Sequence, residues 1–169
     1  MTSFKHAVLF PAILICSVVF LVQSCAVNRN PSVDEPLPEE VARYYVVIAD
    51  TNQSYWEVHS TMMSFQQTSG QEIDTMGRYF NENANSLMLP EDDEDEIYRG
   101  AYYPRRHPST VLSIEYLETY REESLATTFA CVVGIYENEH DARLAVKKWK
   151  STFPKIYSQQ ADIYVGCMH

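Results

Sequence analysis

LATTFACVVGIY, residues 125–136, is the stretch on which the fold turns. β-Branched and aromatic side chains fill it, and Arg121, Glu122, Glu123 and Ser124 before it suit a hairpin turn, so it predicts a strand. Working forward, Asn138 is a helix-capping residue with Glu139 and Asp141 close behind. Ala142, Ala145, Val146 and Trp149 then recur at helical spacing, and Lys147, Lys148 and Lys150 come late. Acid early and base late both suit the helix dipole. The spacing predicts a helix over residues 138–153, stopped by Pro154. ADIYVGCM, residues 161–168, predicts a closing strand.

Working backward, residues 110–120 alternate, with Leu112, Ile114 and Tyr116 on one face. This predicts a strand paired with 125–136; a helix over 113–123 is the rival reading. RYYVVIAD, residues 43–50, is apolar on both faces, as a central strand buried above and below would be. Thr51 or Asn52 can cap the helix that follows, from Ser54 to about Ser69 and ending at Gly70. Its apolar stripe reads as Trp56, His59, Met62, Met63 and Gln66. Residues 71–108 form an irregular insertion with a short hairpin. Strand, helix, insertion, strand, strand, helix, strand predicts an α+β ferredoxin-like sandwich, a four-stranded antiparallel sheet with two helices on one face.

Ahead of this domain, Lys5 precedes an apolar stretch over residues 7–22, shorter than the roughly 20 residues that span a bilayer. It closes on Leu21-Val22-Gln23-Ser24-Cys25, which resembles the lipobox of bacterial lipoproteins, with Gln23 departing from the usual pattern. The resemblance implies that residues 1–24 are a signal peptide and that Cys25 is acylated. Attachment would then be strong, at about 0.8 kcal/mol per buried methylene. Ala26 after the cysteine implies sorting to the outer membrane, facing the periplasm. Residues 25–42 carry Pro31, Pro36 and Pro38 without apolar periodicity, and predict a flexible tether. Residues 43–169 are then one folded domain.

The formal net charge is −10, and a leader whose one formal charge is Lys5 leaves the rest one unit more negative. Six carboxylates fall in one run, EDDEDE at residues 91–96, and no basic patch fits a nucleic-acid backbone. The run lacks the spaced ligands of a calcium loop and reads as solvated. Arg105 and Arg106 carry two guanidinium groups that either clamp a carboxylate or phosphate or, as favoured here, neutralise that run. Cys131 and Cys167 sit in apolar, strand-like surroundings, so buried free thiols are favoured over a disulfide. His59, His107, His140 and His169 are scattered, and no nucleophile motif or phosphate loop accompanies the five glycines. No enzymatic activity, metal or cofactor is expected.

Cys131-Val132-Val133-Gly134-Ile135-Tyr136, the helix with Ala142 and Ala145, and Ile163-Tyr164-Val165-Gly166 together resemble the SPOR (sporulation-related repeat) domain. Tyr44-Tyr45-Val46-Val47-Ile48 echoes the same pattern, with Ala49 in place of the glycine and Thr51 in place of the aromatic. The insertion at 71–108 replaces the family's brief connection. The resemblance implies a non-catalytic module that binds peptidoglycan glycan strands along the open face of its sheet. If Val46, Ile48, Cys131, Val133, Ile163 and Val165 pack under the helices, alternation turns Tyr45, Val47, Val132, Gly134 and Tyr164 to the other face. Tyr45 and Tyr164 are then the candidates for stacking on sugar rings. In the alternative, the insertion covers that face with Tyr79, Phe80, Leu89, Tyr102 and Tyr103. The chain is then a scaffold, a lipoprotein that binds a protein partner.

Overall fold

A computed structural model describes residues 37–121 and 127–167. The leader, Cys25 and most of the tether lie outside the described residues, as does most of the turn at 121–124. Strands β1 (Val41–Asn52), β4 (Ser113–Tyr116), β5 (Phe129–Tyr136) and β6 (Tyr157–Tyr164) form one sheet in the order β4-β5-β1-β6. Every neighbouring pair is antiparallel. Helices α1 (Tyr55–Ser69) and α2 (Glu139–Trp149) pack on one face of that sheet. The architecture is the ferredoxin-like sandwich that the element order predicts.

β1 sits in the middle because both of its faces are apolar: Val46, Val47, Ile48 and Ala49 are buried in succession. It runs on through Thr51 and Asn52, so neither residue caps α1 as expected. Ser54 takes the N-cap position, its own N–H donating to Asn52 Oδ1 at 2.9 Å. Gly70 ends α1 in the left-handed conformation, φ 72°, and its N–H donates to Gln66 O, a C-terminus only glycine takes at no steric cost.

The buried stripe of α1 is Val58, Met62 and Phe65, which corrects the sequence reading. Trp56 and Met63 point outward, and His59 stays half-buried against the Tyr55 and Trp56 rings. Phe65 meets Trp149 at 5.0 Å and Phe153 at 4.6 Å, joining α1 to α2 and the turn after it. In α2, Asn138 Oδ1 accepts the Asp141 N–H at 3.0 Å, the cap its position predicts.

The insertion holds a small hairpin of β2 (Tyr79–Asn81) and β3 (Ser86–Met88), anchored where Phe80 stacks on Tyr55 at 4.1 Å. The acidic run winds into turns in which Asp95 Oδ1 accepts the N–H groups of Ile97 and Tyr98. After β4, a single 3₁₀ turn (Leu117–Thr119) leads to Tyr120.

Cys131 and Cys167 do not pair. Cys131 is buried on β5, where burial and then the charge of Asp50 push its thiol up to about 12. Cys167 lies beyond the end of β6 and is exposed, against the expectation that both are buried. Alkylation at about pH 8, where little of the Cys131 thiol is ionised, should therefore modify Cys167 in the folded protein. Cys131 should react only in denaturant. Equal rates at the two positions, read by peptide mass mapping, would contradict this packing.

Candidate functional site

The five residues expected on one open face fall on two. Tyr45 and Val47 pack on the helix side, while Val46 and Ile48 turn to the opposite face with Val132, Ile135, Ala161 and Ile163. Alternation fixes which β1 residues go together, but both sets are apolar, so nothing in the strand says which set meets the helices. β5 adds a second reason. Its register against β1 slips by one, with Gly134 opposite Val47 and Val132 opposite Ile48. That β-bulge brings Gly134 to the helix side with Val133. A Cβ at position 134 would lie 2.6 Å from the Tyr136 ring, so the glycine makes room for that side chain and not for a ligand. Only Val132 lies on the expected face, and it is fully buried. Tyr164, 40% exposed at the end of β6, spends its hydroxyl on Cys167 O at 3.1 Å.

Two pieces of the chain cover the second face. Leu117 and Tyr120 join its apolar cluster, and Tyr120 reaches across the whole sheet. Its carbonyl accepts Gln159 Nε2 from the far edge strand at 2.7 Å, and its hydroxyl donates to Arg105 O at 3.0 Å. The second piece is the end of the insertion, where Arg106 Nη1 donates to Gly166 O at 3.1 Å beyond β6.

Both pieces depend on a buried ion pair. Glu115, on β4, is fully buried and takes two bonds from Arg78, Nη1 to Oε2 at 2.7 Å and Nη2 to Oε1 at 2.6 Å. Tyr102 donates to Oε2 at 2.6 Å, and the Arg105 N–H adds a longer bond at 3.3 Å. Arg78 also donates to Thr75 O and Tyr103 O. Burial raises the Tyr102 and Tyr120 hydroxyls well above the usual phenol range, and the Glu115 charge adds to it. Both therefore stay protonated as donors. A carboxylate so enclosed is shut off from solvent; it is a clamp that ties both ends of the insertion to the edge strand.

Sequence reading passed over Arg78 and Glu115. Glu115 and Ser113 occupy the parity opposite Leu112, Ile114 and Tyr116, which reads as solvent-facing, yet both are buried. Among the described residues, no ion pair joins Arg105 or Arg106 to the acidic run. The expectation that they neutralise it is corrected: Arg105 turns inward, and Arg106 bonds Gly166 O and Tyr103 OH.

What remains open at this end is a groove of about 460 Å³ between the acidic loop and the end of β6, lined by Asp95, Ile97, Tyr98, Tyr103, Arg106 and Cys167 among others. Tyr98 and Tyr103 meet edge-on at 4.9 Å, and Arg106 lies over the Tyr103 ring at 5.4 Å. No group of three metal-ligating side chains is assembled among the described residues. No family model matches the chain, and no curated protein or solved structure matches it either.

Glu115→Leu should cost about 3–5 kcal/mol, because it leaves Arg78 buried without its counter-charge. The double variant Arg78→Met/Glu115→Leu should recover a large part of that loss. Urea unfolding measures both; a single variant within about 1 kcal/mol of wild type would show that the pair is not the clamp.

Proposed function

We propose that this chain is a non-catalytic envelope lipoprotein, acylated at Cys25 and held in the outer membrane facing the periplasm. Its folded part binds a protein partner. The observation that carries this reading is the filled second face: Val46, Ile48 and Val132 are fully buried beneath Leu117 and Tyr120, so a row of rings for a glycan strand is not on offer there. Among the described residues, three of the six large hydrophobic side chains left exposed lie together elsewhere. Trp56 is 55% exposed and Met63 43% exposed on α1, and the neighbouring hairpin presents Tyr79. Its Phe80 touches the Trp56 ring edge-on at 6.0 Å. α1 carries only Glu57 as a formal charge, so this surface suits an apolar, uncharged partner. Tryptophan, tyrosine and methionine are the residues enriched in such interfaces.

Peptidoglycan binding, which the SPOR resemblance implies, keeps one foothold. Tyr164 remains accessible, and its end of β6 runs into the groove that holds Tyr98 and Tyr103. Two measurements on the full-length protein separate the readings. A photo-crosslinking residue placed at Glu57 in cells should capture one partner, and Trp56→Ala with Met63→Ala should abolish the capture. Purified wall sacculi should retain no more protein than a control resin. Retention that falls on Tyr164→Ala but survives Trp56→Ala would overturn the partner reading in favour of the glycan. Cys25→Ser should release the protein from the membrane fraction, since anchoring rests on the acyl chains.

A further inference from the structure

The four-stranded sheet has two outer edges, β4 and β6, and the chain treats them differently. Along β4 the insertion closes the edge. Leu112 N–H donates to Glu72 O at 2.7 Å, Leu112 O accepts the Asp74 N–H at 2.9 Å, and the Arg78–Glu115 pair follows. β6 has no such neighbour among the described residues. Alternation tells which of its backbone groups are left over. Val165 N–H donates to Glu40 O at 2.7 Å, so the odd-numbered residues of β6 turn their N–H and C=O groups toward β1. Ser158, Gln160, Asp162 and Tyr164 turn theirs outward, and none of those groups meets a partner among the described residues.

Exposed edge strands are commonly guarded by lysine, proline or a bulge. β6, YSQQADIY, has neither residue, and its eight positions pair with β1 one for one, without a shift. Asp162 is its one formal charge, and Arg43 holds that carboxylate from the next strand at 2.7 and 2.9 Å. Gln160, Asp162 and Tyr164 are exposed, so no helix roofs the strand on the side where they stand. The edge is flat, unguarded and electrically neutral.

We propose that β6 pairs with β6 of a second copy of this chain, antiparallel about a two-fold axis at Ala161, to form one continuous sheet across both copies. Strand addition at an open edge supplies main-chain hydrogen bonds, and the side chains beside them set the partner. In this register no outward-facing residue is left over. Ser158 stands opposite Tyr164 of the other copy, and Gln160 stands opposite its Asp162. Like charges stay apart, because each Asp162 meets a glutamine amide and keeps its own Arg43. At the axis the two Ala161 side chains are small enough for the close approach of a pair without hydrogen bonds. A foreign strand has only the backbone to match. A second copy matches backbone, register and charge together, and an isologous contact of this kind closes at two chains. The edge lies apart from the surface assigned to another protein: α2 packs against β6, whereas α1 lies over β1, β5 and β4. Either contact can therefore fail without the other.

The test uses the full-length lipidated protein, with detergent micelles in large excess over protein chains. Sedimentation equilibrium at matched detergent density should show a monomer–dimer equilibrium. Gln160→Glu sets a carboxylate against Asp162 of the other copy, twice by symmetry, and should weaken association about tenfold. Gln160→Lys meets the same carboxylate with a cation and should not weaken it. Because Gln160 is exposed, both variants should keep the wild-type circular dichroism. Disulfide trapping gives a second reading that does not rest on those variants. In a Cys167→Ser background, Ala161→Cys should form a linked dimer on mild oxidation, whereas Cys167→Ser alone should not. A monomer at every concentration, equal effects of the two Gln160 variants, or no disulfide through position 161 would overturn the proposal.

Discussion

The Arg78–Glu115 ion pair is the constraint on which the rest of this domain hangs. A buried carboxylate and guanidinium each lose several kcal/mol of hydration, and attraction offsets this only when geometry is good and the other donors are satisfied. The pair is bidentate at 2.6 and 2.7 Å, and two further N–H groups of Arg78 find Thr75 O and Tyr103 O. The value of the pair is therefore positional. Removing either charge strands the other, so the chain between Arg78 and Tyr102 cannot drift from β4 without a large cost. The loop, which also buries Leu87 and Leu89, is thereby fixed along an edge strand.

Fixing that loop alters what the sandwich can present. In a two-layer arrangement the helices bury one face of the sheet and leave the other to solvent. Here the second face has a core of its own, with Val46, Ile48, Val132 and Ile135 at its centre. Tyr120 can lie across it because each polar group it carries finds a partner, Gln159 Nε2 on the carbonyl and Arg105 O on the hydroxyl. Arg105 owes its place to the clamp, since its own N–H bonds Glu115. Clamp, strap and cover form one connected set of bonds, and a surface broad enough for a polymer is closed by it.

Much of the fold was legible because the pattern is local. The cap at Asn138, the stop at Gly70 and the alternation of Leu112, Ile114 and Tyr116 each depend on neighbours within a few residues. What was illegible depends on distant partners. Parity assigned Tyr45 to one set and Val46 to the other, but the choice of face belongs to the helices, and β1 is apolar on both sides. The bulge at Val133 and Gly134 has no mark beyond a glycine that fits an ordinary strand motif equally well. Trp56 misled for a related reason. A large ring at helical spacing reads as core, but Tyr55, Val58, Met62 and Phe65 form the stripe that meets the sheet. Glu115 is the hardest case, since a glutamate on the polar parity of a strand looks solvent-facing until Arg78 is seen to reach it.

The clamp also explains why the Arg105 guanidinium is buried among neutral oxygens. Arg105 is held at its N–H by Glu115 and at its carbonyl by Tyr120, so its backbone position answers to the core and not to its own side chain. The side chain must then go where that backbone sends it, into a pocket of carbonyl and hydroxyl oxygens.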